Sequence, residues 1–208
     1  MKATLLAAVL VAPWLGLASP AAATRMTSSY TSLTVFGDSL VDAGNIYALT
    51  GGQTPSPAAG YFQGRFTNGY DYTDLLSIDL FGRPTTASLL GGRNFAFGGA
   101  RIVDNGDVVP DLSRQIDLYE VALGRTADSN GLYVLNAGGN DVFGAIAGTI
   151  GGADPQRYLQ DAASQYAASV QRLDGLGVRN ILITDFPDRK STRLNSSHPY
   201  VSRMPSSA

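Results

Sequence analysis

The sequence has no cysteine among its 208 residues, one histidine and one tryptophan. Without cysteine there is no disulfide framework, no thiolate nucleophile and no thiolate metal site. Stability must then come from a packed core, and the chain is long enough to bury one. Lysine is nearly missing too, with only Lys2 and Lys190. Between Thr24 and Pro187 ten arginines face sixteen acids, a net charge of −6. Such a surface is unfavourable for nucleic acid or anionic lipid. After residue 23 no apolar run is long enough to span a bilayer.

Residues 1–23 are expected to form a secretory signal peptide. Lys2 supplies a positive start, Ala3 to Ala18 is mostly apolar, and Ala21-Ala22-Ala23 is a small-residue cleavage site. Pro13 breaks the apolar run, which argues against a membrane anchor. The mature product is expected to be secreted, periplasmic or on the cell surface.

The composition changes abruptly after Pro187. Residues 188–208 hold six serines and no glycine, whereas all 24 glycines precede them. Their apolar residues follow neither a strand nor a helix period. The stretch from Asp188 to His198, and again Ser202 to Ala208, resembles the translation of a short-read sequencing adapter. Residues 24–187 are therefore expected to be one partial domain, and 188–208 a tail foreign to it.

Within 24–187, the run Leu33 to Phe36 reads as a buried strand that stops at Gly37 and runs into Asp38-Ser39. Asn94 to Phe97, running into Gly98-Gly99-Ala100, and Leu132 to Leu135, running into Asn136 to Asp141, repeat the pattern. Val178 to Thr184 reads as a fourth strand. Between them, Tyr72, Leu75, Leu76 and Leu80 have helical spacing, with Asp71 as the cap and Gly82-Arg83-Pro84 as the stop. Leu112, Ile116, Tyr119 and Leu123 mark a second amphipathic helix. Asp154 caps a third, with Pro155 at its first position. It ends near Leu173 and turns Tyr158, Leu159, Ala162, Tyr166, Ala167 and Val170 inward. Ala48 to Gly60 reads as a surface loop. Asp104-Asn105-Gly106-Asp107 reads as a turn, because the later ligands of a calcium loop are missing.

Continuous apolar strands alternating with amphipathic helices predict an α/β fold, a three-layer α/β/α sandwich with a mostly parallel sheet. Right-handed crossovers collect the strand ends on one edge, where ligands of such sheets bind. Ser39, Gly99 and Asn140 each fall just past a predicted strand. Acyl transfer needs a nucleophile and an oxyanion hole, together with a base and an acid that orients it. Ser39 can supply the nucleophile. The N–H groups of Ser39 and Gly99 and the side-chain amide of Asn140 can supply the oxyanion hole. A side chain at Gly99 would crowd the approaching oxyanion, and an amide at 140 donates without titrating. Each residue also has an ordinary reading: a turn at Gly98-Gly99, a helix cap at Asn140 and Asp141.

The sequence resembles the GDSL esterase/lipase family, the SGNH hydrolases with a flavodoxin-like layered fold. Phe36-Gly37-Asp38-Ser39-Leu40 with Asp42, Gly44 and Asn45 is similar to its first block. Gly64-Arg65-Phe66-Thr67-Asn68-Gly69 is similar to a loop of its plant-type and secreted bacterial members. Asn94 to Ala100 and Gly139-Asn140-Asp141 are similar to its second and third blocks. The resemblance implies a serine ester hydrolase with Ser39 catalytic, an oxyanion hole of Ser39, Gly99 and Asn140, and Asp38, Asp42, Asn45 and Asp141 in support. It implies no cofactor and no metal. The substrate would be a lipid, a short-chain ester or an acetylated sugar, and nucleic acid is not expected as a partner.

One family block, Asp-x-x-His, is not found: Asn195 stands three residues before His198. The catalytic base and its acid are thus expected to be absent from this chain, and the chain to be nearly inactive. The sheet is expected to be incomplete at the C-terminus, leaving the fourth strand as an open edge. Tyr61, Phe62, Phe66 and Tyr70 could line an acyl pocket or merely pack together. A non-catalytic module binding a glycan or small ligand on the same fold is the alternative. A nucleotide binder is disfavoured, because no Gly-x-Gly-x-x-Gly follows a strand and no Walker lysine is present.

Overall fold

The computed structural model describes residues 29–184. The expected signal peptide, the tail and His198 lie outside them. Three parallel strands form the sheet: β1 (Leu33–Gly37), β2 (Leu132–Asn136) and β3 (Asn180–Ile183), in the order β1-β2-β3. Leu33 pairs with Leu132 and Leu132 with Asn180, so the strands are aligned from their first residues.

The stretch Asn94–Phe97 is not a full strand. It forms one parallel bridge, Val35 to Asn94, along the free edge of β1. Phe95 N–H donates to the Val35 carbonyl at 2.7 Å, and Phe97 N–H to that of Gly37 at 3.1 Å. Asn94 is also bridged to Ala87, so the segment is shared between β1 and the preceding loop. It still runs parallel to β1, and its end reaches the same edge of the sheet as the other strand ends.

β1 and β2 are buried throughout because both of their faces are covered, as a parallel sheet requires. Alternate residues point to opposite faces. Phe36, Tyr133 and Leu135 join Leu112, Ile116 and Tyr119 of α3 (Leu112–Leu123) and Ala162 and Leu173 of α5 (Pro155–Gly175). Val35, Leu132 and Val134 pack with Leu76, Leu80 and Phe81 of α2 (Tyr72–Phe81) on the other face. The result is the three-layer α/β/α arrangement. Phe36, Phe95 and Tyr119 form an aromatic triad, with centroids 5.7–5.8 Å apart, which is favourable contact geometry.

Three local expectations change. Helix α2 packs Leu76 and Leu80 on the sheet as its period predicts, but Tyr72 and Leu75 lie outside that face. Thr73, Asp74 and Ser77 are buried, while Leu75 is 57% exposed. The reason is electrostatic: Asp74 turns inward to meet Arg65. In α5 Ala167 is exposed. Finally, the predicted loop from Ala48 begins inside a short helix, α1 (Asn45–Leu49), and contains a 3-10 turn at Pro57–Ala59. Helix α4 (Gly139–Ala147) follows β2 directly. Asp71 does cap α2, in a capping box with Asp74, and Asp154 caps α5 through Arg157 N–H. Among the described residues β3 pairs only with β2, and Leu182 and Ile183 are 39% and 50% exposed.

Candidate active site

Gly37 ends β1 where only glycine fits. A Cβ there would stand 2.2 Å from the Asn136 carbonyl oxygen. Asp38 N–H donates to that same carbonyl at 3.1 Å, so the turn carrying Ser39 is pinned to the end of β2. Ser39 is half-buried at the edge where all strands end. Its hydroxyl has no hydrogen-bond partner among the described residues.

Asp42 holds the turn together. Its Oδ1 accepts the N–H groups of Gly44 and Asn45 at 2.8 and 2.6 Å. Its Oδ2 accepts the N–H of Gly98 at 2.9 Å and that of Ile46 at 3.2 Å. A single buried carboxylate thus ties the serine turn to the Gly98-Gly99 turn. Burial pushes its pKa above the ordinary carboxylate value, and the four N–H groups partly offset that.

Asn45 makes a second tie. Its Nδ2 donates to the carbonyls of Asn94 and Ala96 at 2.7 and 2.8 Å. Its Oδ1 accepts from Ser88 Oγ and Leu89 N–H. Asn94 answers in the other direction, donating from Nδ2 to the Val41 carbonyl at 2.7 Å. Every buried polar atom of these two amides therefore has a partner, which makes the junction rigid rather than merely close.

The Gly98-Gly99 turn has a glycine at each place for a different reason. A Cβ on Gly98 would lie 2.2 Å from the Phe66 ring. Gly99 has φ +89° and open space around it. Its glycine is thus required by left-handed backbone, rather than by any neighbouring protein atom. Gly99 is exposed on the rim.

Asn140 lies in the first turn of α4 and donates from Nδ2 to the Ala100 carbonyl at 2.7 Å. That uses one amide hydrogen and leaves the other. Asp141 is buried and accepts the N–H groups of Ile102 and Val103 at 2.8 and 3.2 Å and the Tyr158 hydroxyl at 3.0 Å. Neither residue caps α4, whose cap position is Gly138. Their bonds run across to the chain just after Gly99 instead. Direct hydrogen bonds thus join the serine turn to the glycine turn, and the chain just after the glycine turn to the start of α4.

Asp38 lies beside Ser39 and is 3% exposed. Its Oδ1 accepts Leu40 N–H at 3.0 Å and Asn136 Nδ2 at 3.4 Å. Burial, helped by the Asp141 charge and opposed by the Leu40 bond, raises its pKa to about 6.

The aromatic loop packs rather than standing open. Tyr61 meets Phe66 edge to face, and Phe62 meets Tyr70. Phe66 also leans on the cluster of Ile46, Phe97 and Ala100 beneath the glycine turn. An apolar cavity of about 510 Å³ lies elsewhere, between α4, α5 and the ends of β2 and β3, lined in part by Asp141, Val142, Leu159 and Tyr166. Among the described residues no cluster of His, Cys, Asp or Glu is placed to hold a metal.

Sequence reasoning missed the buried polar supports. Gln115 bonds the backbone of Gly37 from α3. Asn136 gathers the Tyr72 and Thr184 hydroxyls on Oδ1. Arg65 forks onto Asp74, with Nη2 to Oδ1 at 2.9 Å, and reaches the Thr85 carbonyl. The signal for Arg65 and Asp74 was available as two charges inside apolar surroundings, but nothing local pairs them.

Comparison with known proteins bears on the same residues. The family model for GDSL-like lipase/acylhydrolases matches residues 33–203. The chain is 31% identical over 167 residues to Lipase 1 of Photorhabdus luminescens, across 77% of this chain and 23% of that protein. It is 27% identical over 174 residues to a GDSL esterase/lipase of Arabidopsis thaliana, covering 74% and 48%. It is 26% identical over 156 residues to the thermolabile hemolysin of Vibrio parahaemolyticus, covering 73% and 32%. The chain therefore spans between about a quarter and a half of these relatives' lengths. With a match over 33–203 that takes in all three strand-end turns, the chain belongs to the GDSL-like lipase/acylhydrolase family.

Proposed function

We propose that this chain comes from a serine carboxylic-ester hydrolase in which Ser39 attacks the ester carbonyl. The Ser39 and Gly99 N–H groups and the free amide hydrogen of Asn140 receive the developing oxyanion. Preorganised donors of this kind cost no reorganisation as charge develops. The observation that carries the reading is the set of cross-ties: Asp42 to Gly98, Asn94 to Val41, and Asn140 to Ala100. They link the three segments that bear these donors. Asp38, Asp42, Asn45 and Asp141 then hold the segments and do not touch substrate.

The base is proposed to be missing from this chain. His198 has Asn195 where the family's pattern has an aspartate, and 188–208 is read as foreign. Without a base Ser39 keeps its proton and attacks slowly. Residues 1–23 are proposed to direct export, with the mature protein secreted, periplasmic or at the cell surface. Substrates are proposed to be lipids, short-chain esters or acetylated sugars.

Hydrolysis of nitrophenyl esters by the 208-residue chain and by the uninterrupted gene product tests both parts. Activity only in the longer protein, lost in Ser39→Ala, is the expected result. Substantial turnover by the 208-residue chain, also lost in Ser39→Ala, overturns the missing-base part. Activity that survives Ser39→Ala in the longer protein overturns the serine mechanism. No turnover by either protein, with ligand binding retained in Ser39→Ala, would favour the binding-module alternative.

A further inference from the structure

The opposite end of β1 carries a second hollow. The candidate active site follows Gly37, whereas this hollow opens at Leu33, about 13 Å away at about 3.3 Å per residue. Its volume is about 360 Å³, room for about a dozen waters at roughly 30 Å³ each. Ser77 and Phe81 of α2, Arg83, Thr85, Thr86 and Arg93 line it.

Its walls are fixed by bonds that do not use the groups facing inward. Thr85 donates from N–H and Oγ1 to Asp74 Oδ1, at 3.0 and 2.7 Å, and so is anchored to the buried Arg65–Asp74 pair. The loop above it closes through Asn94 N–H to the Thr86 carbonyl and Gly92 N–H to the Ala87 carbonyl. Arg93 is steadied by one bond from Nε to Thr34 Oγ1 at 3.1 Å, which leaves its other N–H groups uncommitted. Thr31 and Ser32, also on the lining, are spent: both hydroxyls donate to Asp128. Asp128 is a counter-charge that Arg93 also faces.

What remains free can all donate. Ser77 is 6% exposed, yet its hydroxyl has no hydrogen-bond partner among the described residues. Arg83 likewise has no ion pair or hydrogen bond among the described residues, nor has the Thr86 hydroxyl. No carboxylate lines the hollow, although the surrounding chain is strongly acidic. Two guanidinium groups and nearby hydroxyls match the charge and the donor demand of phosphate oxygens.

We propose that this hollow binds a small phosphate-bearing ligand, with Arg83 and Arg93 on the phosphate oxygens and Ser77 donating from the floor. The volume exceeds that of a bare phosphate, and Phe81 and Pro84 offer an apolar wall for a larger body. The site is independent of ester hydrolysis and needs no base.

Titration calorimetry of the full chain tests it, with inorganic phosphate, glucose 6-phosphate and glucose as probes at matched ionic strength. Phosphate and glucose 6-phosphate should bind and glucose should not. Tighter binding of glucose 6-phosphate assigns the site to organic phosphates, and equal binding assigns it to free phosphate. Arg83→Ala, an exposed position whose loss should spare the fold, should weaken binding about tenfold or more. Ser77→Ala should weaken it less. No binding of either phosphate, or binding unchanged in Arg83→Ala, overturns the proposal. Glucose binding as tight as glucose 6-phosphate also overturns it.

Discussion

Gln115 holds Gly37 by both sides of its backbone. Its Oε1 accepts the Gly37 N–H at 2.8 Å, and its Nε2 donates to the Gly37 carbonyl at 2.8 Å and to that of Pro110 at 2.9 Å. Gly37 is the residue before Asp38-Ser39, so a fully buried side chain from α3 takes the place of a neighbouring strand just where the serine turn begins.

Gln115→Leu should therefore strand the Gly37 N–H, while the carbonyl keeps Phe97 N–H. A loss of about 1–3 kcal/mol in urea unfolding is expected. Gln115→Glu should lose more at neutral pH than in mild acid. A protonated carboxyl can accept from the N–H and donate to the carbonyl as the amide does, whereas a carboxylate faces the carbonyl oxygens. A pH-independent loss in Gln115→Glu would count against this account.

Gly98→Ala should destabilise by about 1–3 kcal/mol, the usual cost of overpacking. The obstacle is the Phe66 ring, not backbone. Combining Gly98→Ala with Phe66→Leu should thus cost less than the sum of the two single changes. A double-mutant cycle reads this directly, and strict additivity would mean the clash is relieved some other way.

Asp38 and Asp71 are both raised to about 6 from 3.8, chiefly by burial. Asp71 also feels Asp74, and its Oδ2 has no partner. A raised carboxyl binds its proton more tightly in the folded state than in the unfolded state. Its contribution is full below about 3.8 and is lost as pH rises through about 6. Asp74 and Asp128 are lowered and act below that window. Stability measured by urea should carry a falling component between about pH 4 and about pH 6, and Asp71→Asn should flatten it. An unchanged slope in Asp71→Asn would place the titration elsewhere.

Asn140 and Asp141 are adjacent but should respond differently. Asn140→Ala in the longer gene product should lower kcat about 10²–10³-fold, the range for losing one oxyanion donor, with a small stability change from the lost Ala100 bond. Asp141→Ala strands the buried Ile102 N–H, the part-buried Val103 N–H and the Tyr158 hydroxyl. It should cost several kcal/mol in thermal or urea unfolding, at about 1–3 each. Equal stability losses for both would contradict the division of roles.

Three of the four expected strands, the caps at Asp71 and Asp154 and the glycine-marked strand ends were readable from local pattern alone. Burial of a strand on both faces requires an uninterrupted apolar run. A cap requires a short acceptor just before the helix, as at Asp71 and Asp154. A tight exit from a strand tip requires a glycine, as at Gly37. Each of these constraints acts over a few neighbouring residues, so the order of residues carries it. Tertiary packing decided the rest, because its partners are distant in sequence. Asp74 brings a charge to the buried side of α2, beside Leu76 and Leu80, to pair with Arg65. The segment from Asn94 had to divide its bonds between β1 and the loop at Ala87. Gln115 met Gly37 across 78 positions, where a buried amide group must find whatever partner the fold brings to it, and no periodicity names that partner in advance.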